Sequence, residues 1–348
     1  MIYSLMMAVF NRAGLSRHSL GDGGSLGHRV CDVCACLRLI HMRSSFRRTY
    51  RTATILLMIC IFAMASSEQA AAATDLTARL SMVNVANGQV TVLEIELGDL
   101  EPDAADLKAR FGQNTIALFQ HPLKPSGTYC GLVGIPLDTA PQKAAIELEW
   151  TDSRGRQGTS VPVSIIDGKY KSENLSVAPR HVKLSQKNLE RVGREKKEIR
   201  RIYSSSSEER LWYGIFKKPL ETQPTSVFGT RRLFNNQHQS SHRGIDFRAP
   251  IGTPIHVSNS GVVRLAQNLF YSGNIVIVDH GKGIFTNYAH LSKIQVIVGQ
   301  QIAGGQQIGL SGASGRVSGP HLHWGVRVGG VYVDPSQFLN VISALLGS

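Results

Sequence analysis

Apolar and polar residues alternate with period two through much of the chain. Leu93, Ile95 and Leu97 are separated by Glu94 and Glu96, and Ile146, Leu148 and Trp150 by Glu147 and Glu149. Successive side chains of a strand point to opposite faces, so the pattern predicts strands with one buried and one wet face. With "VPVSII" at 161–166 and turn residues such as "DSRG" between the runs, residues 74–168 are expected to form a small antiparallel β-sandwich. The period then changes. Leu189, Val192, Ile199, Ile202 and Tyr203 fall at helical spacing behind a candidate cap, Ser185, in a stretch rich in Lys and Arg. Residues 169–215 therefore read as a basic helical linker with a solvated charged face, and "SSSSEE" at 204–209 as a flexible joint.

From about residue 216 the apolar runs become short, rich in Val and Ile and punctuated by glycine: "TPIHVS", "GVVRLAQ", "NIVIVDHG", "GIFTNYAHL" and "HLHWGVRV". Many brief strands joined by turns predict a second antiparallel, barrel-like sheet over residues 216–348. The fold class expected is mainly β, a sandwich followed by a helical linker and this sheet.

The first 73 residues do not fit that scheme. Residues 47–73 run from arginines through an apolar core, Ile55 to Ala65, to small residues ending in alanines at 70–73. This is the order of a secretory signal, and its core is shorter than the about 20 residues that span a bilayer. Residues 1–46 read as an upstream extension, with Met42 a candidate start that opens a signal of ordinary proportions. "CDVCAC" at 31–36 lacks a second cysteine pair to complete a metal site, so it falls with the extension.

Charge and cysteine usage then change the picture of the exported part. The whole chain carries +13; residues 1–73 hold eight arginines and three acidic residues, so their removal leaves +8. A basic exported protein favours anionic wall polymers or membrane surfaces over nucleic acid. Only Cys130 remains after residue 73, so no intramolecular disulfide is available and stability must come from packing or a metal.

Chemistry concentrates near the end of the chain. In "HLHW", His321 and His323 are two apart and share one face of a strand, while Trp324 alternates away from it. In "HRGID", His242 and Asp246 would lie about 13 Å apart on an extended chain, so the backbone must bend near Gly244 for both to reach one ion. Two His and one Asp with an open position make a catalytic zinc set. Either motif alone is weak in a chain with twelve histidines.

Their company is more specific. "SVFGTRR" at 226–232, "HRGIDFRAPIGTPI" at 242–255, "IVIVDHG" at 275–281, "YAHLS" at 288–292 and "SGASGRVSGPHLHWGV" at 311–326 stand in the order found in the lysostaphin/LytM-type zinc metallopeptidases. The chain resembles that family over roughly residues 224–337. The resemblance implies a single zinc ion held by His242, Asp246 and His323, with His290 and His321 as the catalytic pair and peptidoglycan as substrate. It leaves open which of the two histidines does what. It also leaves open which bond is cut: a cross-link between D-amino acids, a glycine bridge, or a bond in a non-wall protein. His121, His238, His256 and His280 read as bystanders; Phe270, Tyr271 and Trp324 stand in or beside cleft-wall segments where they could flank a peptide stem, and Trp324, which alternates away from the histidine face, has packing beneath it as its other reading.

The implied function is an exported zinc endopeptidase acting on stem peptides or cross-links in the periplasm, cell envelope or medium. It would have no transmembrane segment after signal cleavage, no nucleic-acid partner, and monomeric form as the working expectation. The alternative is a non-catalytic envelope protein that binds or activates a separate amidase. The front sandwich, by its place before the linker, is expected to shield or direct the cleft.

Overall fold

The computed structural model describes residues 76–98, 106–175, 184–234 and 237–347. The signal segment, the candidate start Met42 and the cysteine run at 31–36 lie outside the described residues, as does the side chain of His238. Residues from Ala73 onward form one compact unit.

Two sheets make the front part. One is the antiparallel series Thr77–Leu80, Val90–Glu96, Thr128–Gly134 and Leu118–Gln120; the other orders Asn84–Ala86, Gly155–Ile166, Gln142–Asp152, Lys108–Phe111 and Asn114–Ile116. The expected sandwich is present, with one departure: Asn84–Ala86 pairs parallel with Gly155–Ile166. The alternating residues face inward as read, since Leu93, Ile95, Leu97, Ile146, Leu148 and Trp150 meet in one buried cluster. On the other face of Val90–Glu96, burial gives way to ion pairing along the strand. Val90 and Val92 are buried with Phe119, Cys130 and Leu132 against Trp212, Phe216, Val326 and Phe338 of the rear part, whereas Glu94 pairs with Arg79 and Lys124. One apolar core therefore runs through both parts, and the side chain of Gln337 brackets both the N–H and the C=O of Val90.

The rear part is a ten-stranded antiparallel sheet. Its main path runs Pro224–Ser226, Ile245–Arg248, His321–Val328, Ile284–Ile294, Gly273–Gly281, Gly261–Leu269 and Gln301–Ile302, with Pro254–His256, Gln307–Ser311 and Val331–Val333 attached at its sides. The "IVIV" run is apolar on both faces because both are covered. Val276 and Val278 enter the main core, and Ile275 and Ile277 pack beneath the helix Gln186–Tyr203 with Ile202 and Tyr203. That helix starts where its cap is expected, Ser185 Oγ accepting from the Asn188 N–H at 3.4 Å. It lies on the sheet, although Leu189 of its apolar series is exposed.

The serine run after the helix differs from its reading as a flexible joint. The buried carboxylate of Asp279 accepts from Ser206 Oγ and the Ser207 N–H, both at 2.9 Å, and Arg264 donates to the Ser205 carbonyl at 2.8 Å. Serines leave no apolar pattern, so a strap held by polar groups looks like a linker in sequence. The chain ends in the helix Pro335–Leu345, capped by Asp334, whose Phe338 and Ile342 complete the core.

Candidate metal centre

Three strands and one tight turn bring the sequence-predicted site residues together. Asp246 and His323 are direct cross-strand partners between Ile245–Arg248 and His321–Val328. Side chains of opposed residues lie on the same face, so a carboxylate and an imidazole are presented side by side. His321, two residues earlier, shares that face. Trp324 and Leu322 point the other way and are fully buried in the core, so of the two roles open to Trp324 the structure shows the packing one.

His242 reaches the pair from the turn before Asp246. Gly244 allows this by its lack of a side chain: a Cβ there would lie within 2.7 Å of the His323 ring and 2.5 Å of the Trp324 carbonyl. The bend expected at Gly244 is present, but its φ is not among the positive ones. Glycine is needed for close approach, not for a left-handed turn.

The ligand atoms converge. His242 Nε2 and His323 Nδ1 each lie 2.9 Å from Asp246 Oδ1, and 3.1 Å from each other. One candidate atom from each of the three residues lies within 4.8 Å of the others. Zinc bonds of about 2.0–2.2 Å at tetrahedral angles separate ligand atoms by about 3.3 Å, so the set fits one face of such a site and leaves a further position open. His242 Nδ1 donates to the Val227 carbonyl at 2.9 Å, which leaves Nε2 as the lone-pair nitrogen facing the cluster. Burial raises the Asp246 carboxyl, but the adjacent imidazoles of His242 and His323 outweigh it and hold the group well below the usual carboxylate range. Burial likewise lowers the His323 imidazole. Ionised aspartate and neutral imidazole are the forms that bind metal.

His290 and His321 stand beside this set, their ring centroids 4.8 Å apart, with His290 6.1 Å from His323. His321 Nδ1 donates to the Gly319 carbonyl at 2.8 Å, and its Nε2 lies 3.8 Å from Asp246 Oδ1. His290 owes its place to a bulge. Tyr288 pairs with Val276 and Leu291 with Asn274, so Ala289 and His290 together oppose Ile275. Simple alternation would put His290 on the buried face of Tyr288; the extra residue re-aims it. His290 takes a left-handed φ of 63°, uncommon outside glycine and found at sites where surrounding contacts enforce it. Those contacts are its N–H to the Ser272 carbonyl and its Nδ1 to the Ser314 carbonyl, both 2.9 Å. Burial pushes its pKa down to about 4.

Among the described residues, the other histidines stand apart from the centre. His121 is buried in the front sandwich, where its Nδ1 accepts from the Leu123 N–H at 3.2 Å, and His256 is exposed at a strand end. His280 is sealed in the core. Tyr271 lies under the Arg316 guanidinium, 4.5 Å from ring centroid to Cζ, and the N–H of Arg316 is held by the Tyr271 carbonyl at 3.0 Å, so the Phe270–Tyr271 turn and the loop after Ser311 form one wall beside His290. Sequence reasoning missed Val227, Ser314 and Gly319. They act through backbone carbonyls, which any residue offers, so no residue type could mark them.

An antiparallel sheet with a converging His, Asp and His and two spare imidazoles is the framework of a metal-dependent hydrolase. Comparison with known proteins agrees. Residues 240–335 match the model of peptidase family M23. A crystal structure from Pseudomonas aeruginosa assigned to peptidase M23 is 30% identical, covers 74% of this chain and 95% of that one, and superposes with a TM-score of 0.57. The chain belongs to peptidase family M23. Among curated relatives, the peptidoglycan DD-endopeptidase ShyA of Vibrio cholerae is 49% identical over 107 residues, 30% of this chain and 25% of that protein. The DD-carboxypeptidase/endopeptidase Mpg of Neisseria meningitidis serogroup B is 43% identical over 114 residues, 33% and 26% of the two chains. The match thus spans about a quarter of the length of these curated relatives.

Proposed function

We propose that the chain is an exported zinc metalloendopeptidase that hydrolyses peptide bonds of peptidoglycan, in stem peptides or cross-links. The observation that carries this is the meeting of His242 Nε2, Asp246 Oδ1 and His323 Nδ1 at 2.9–3.1 Å beside two imidazoles that are not needed as ligands. Names of relatives that act on peptidoglycan support the substrate. Export rests on the signal-like residues 47–73, and no described helix is long and apolar enough to cross a membrane.

In this reading His242, Asp246 and His323 hold the ion. When bound, zinc makes water nucleophilic near neutral pH and polarises the scissile carbonyl. His290 and His321 each give Nδ1–H to a backbone carbonyl, so the free Nε2 of each is a proton acceptor. A histidine here takes the proton released as the C–O bond forms and returns it to the amine nitrogen as the C–N bond breaks. The rigid carbonyls of Ser314 and Gly319 hold both rings in that tautomer. The alternative of a non-catalytic activator gains nothing from the geometry, since the ligand set is complete.

The test is mass spectrometry of fragments released from purified peptidoglycan. New amino and carboxyl termini should appear with zinc and vanish with a chelator. Fragment release that a chelator leaves untouched would overturn the proposal.

A further inference from the structure

The turn that orients His242 is itself held from outside the rear sheet. Val227–Arg231 wraps the histidine: the Gly229 N–H donates to the His242 carbonyl at 2.8 Å, the His242 N–H to the Thr230 carbonyl at 2.9 Å, and the Val227 carbonyl receives both His242 Nδ1 at 2.9 Å and Thr230 Oγ1 at 3.0 Å. Four hydrogen bonds, made by three backbone groups and the Thr230 hydroxyl, therefore hold the histidine, and all depend on the turn keeping its shape.

Tyr170, on the segment leaving the front sandwich, lies against that turn. A Cβ on Gly229, where φ is +80°, would lie only 2.0–2.4 Å from three atoms of the Tyr170 ring. The same ring meets Phe228 edge-on at 5.9 Å between centroids. Its hydroxyl donates to the Asn87 carbonyl at 2.7 Å, and Asn87 in turn donates to the Leu137 and Thr139 carbonyls and accepts from the Gly168 N–H. Next along the chain, the Lys171 carbonyl accepts from the Arg231 N–H at 2.8 Å, and Ser172–Leu175 continues as a strand parallel to Arg231–Phe234. The sandwich thus grips the turn at its glycine and at its end.

We propose that Tyr170 is a positioning residue for the metal site, through which the front sandwich holds the Val227–Arg231 turn and so aims His242. The inference rests on the reading of His242, Asp246 and His323 as zinc ligands. It gives the sandwich a role within the chain: to stiffen one ligand's support. Groups that orient a metal ligand typically change metal affinity about 10–100-fold when lost. Because the flat ring, not the hydroxyl, covers Gly229, the two parts of the side chain are expected to separate experimentally.

The experiment is zinc binding by the protein spanning residues 74–348, with dissociation constant and release rate measured by chelator competition, each variant first shown to be folded by circular dichroism. Tyr170→Ala should weaken zinc about 10-fold or more and speed its release. Tyr170→Phe, which keeps the ring, should stay within about twofold of wild type, and Tyr170→Leu should fall between them; if the alanine variant does not fold, the leucine variant decides. Val163→Ala, a cavity in the sandwich core away from the turn, should lower stability without changing zinc affinity. Wild-type affinity in both Tyr170→Ala and Tyr170→Leu, or equal weakening in Val163→Ala, overturns the positioning role. A wild-type protein that binds no zinc overturns the underlying reading instead.

Discussion

Two buried histidines sit on the same hairpin of Gly273–Gly281 and Ile284–Ile294, and burial pushes both down to a pKa of about 4. They differ in what their second nitrogen meets. Both nitrogens of His280 belong to a closed set: Nδ1 donates to the Ser260 carbonyl at 2.7 Å, Thr286 Oγ1 lies 2.8 Å from Nε2, and the chain continues through the Tyr288 hydroxyl to Ser258. His290 uses only Nδ1, on the Ser314 carbonyl, and its backbone is left-handed at a bulge. Desolvation alone therefore does not mark function. The proposed role of His290 rests instead on an uncommitted nitrogen in a re-aimed, strained position beside the candidate metal set.

The comparison can be broken at several points. The largest effect is expected outside the pair, at His323→Ala: loss of bound zinc and at least about a 1,000-fold fall in fragment release, because a catalytic zinc needs three protein ligands. Metal analysis and a peptidoglycan-clearing assay check it. His290→Ala and His321→Ala should each lower turnover by about 100- to 10,000-fold, the usual range for a proton-transfer group, while one zinc stays bound. His280→Gln should do the reverse, keeping turnover within a few-fold and lowering stability by about 1–3 kcal/mol as buried partners lose a bond, read by denaturant unfolding.

A pH series sharpens the contrast. An unfolded histidine takes up a proton near pH 6.5, whereas folded His280 does so near pH 4. Between those values the unfolded chain binds more protons, so the stability from neutral His280 is fully present above about pH 6.5 and is lost as pH falls toward 4, by up to about 3 kcal/mol. His280→Gln should lose less stability than wild type over that window. The smallest effect is expected at Asp279→Asn, which weakens the Ser206–Ser207 strap. About 1 kcal/mol of stability should go, and hydrogen exchange at residues 204–209 should rise.

Much of this was legible in the sequence because it is written in side chains. Leu93, Ile95, Leu97 and Ile146, Leu148, Trp150 announced the sandwich by period two, Ser185 announced the helix start, and the two-residue spacing of His321 and His323 announced a shared face. His242, Asp246 and His323 do meet, as their motifs suggested. What could not be read depends on backbone and on distant packing. The bulge at Ala289–His290 reverses the alternation that would bury His290 with Tyr288. The serine strap is held by the Asp279 carboxylate and the Arg264 guanidinium, both distant in sequence, and the ring orientations depend on the carbonyls of Val227, Ser314 and Gly319. The grip of Tyr170 on Gly229 joins residues nearly sixty positions apart, a relation that no local pattern carries.

The most direct single measurement is the zinc content of the purified protein and its variants. One zinc per chain is expected for wild type, His290→Ala and His321→Ala, and none for His323→Ala. Zinc retained at one per chain in folded His323→Ala, or a wild type that cleaves peptidoglycan with no metal bound, would contradict the three-ligand centre.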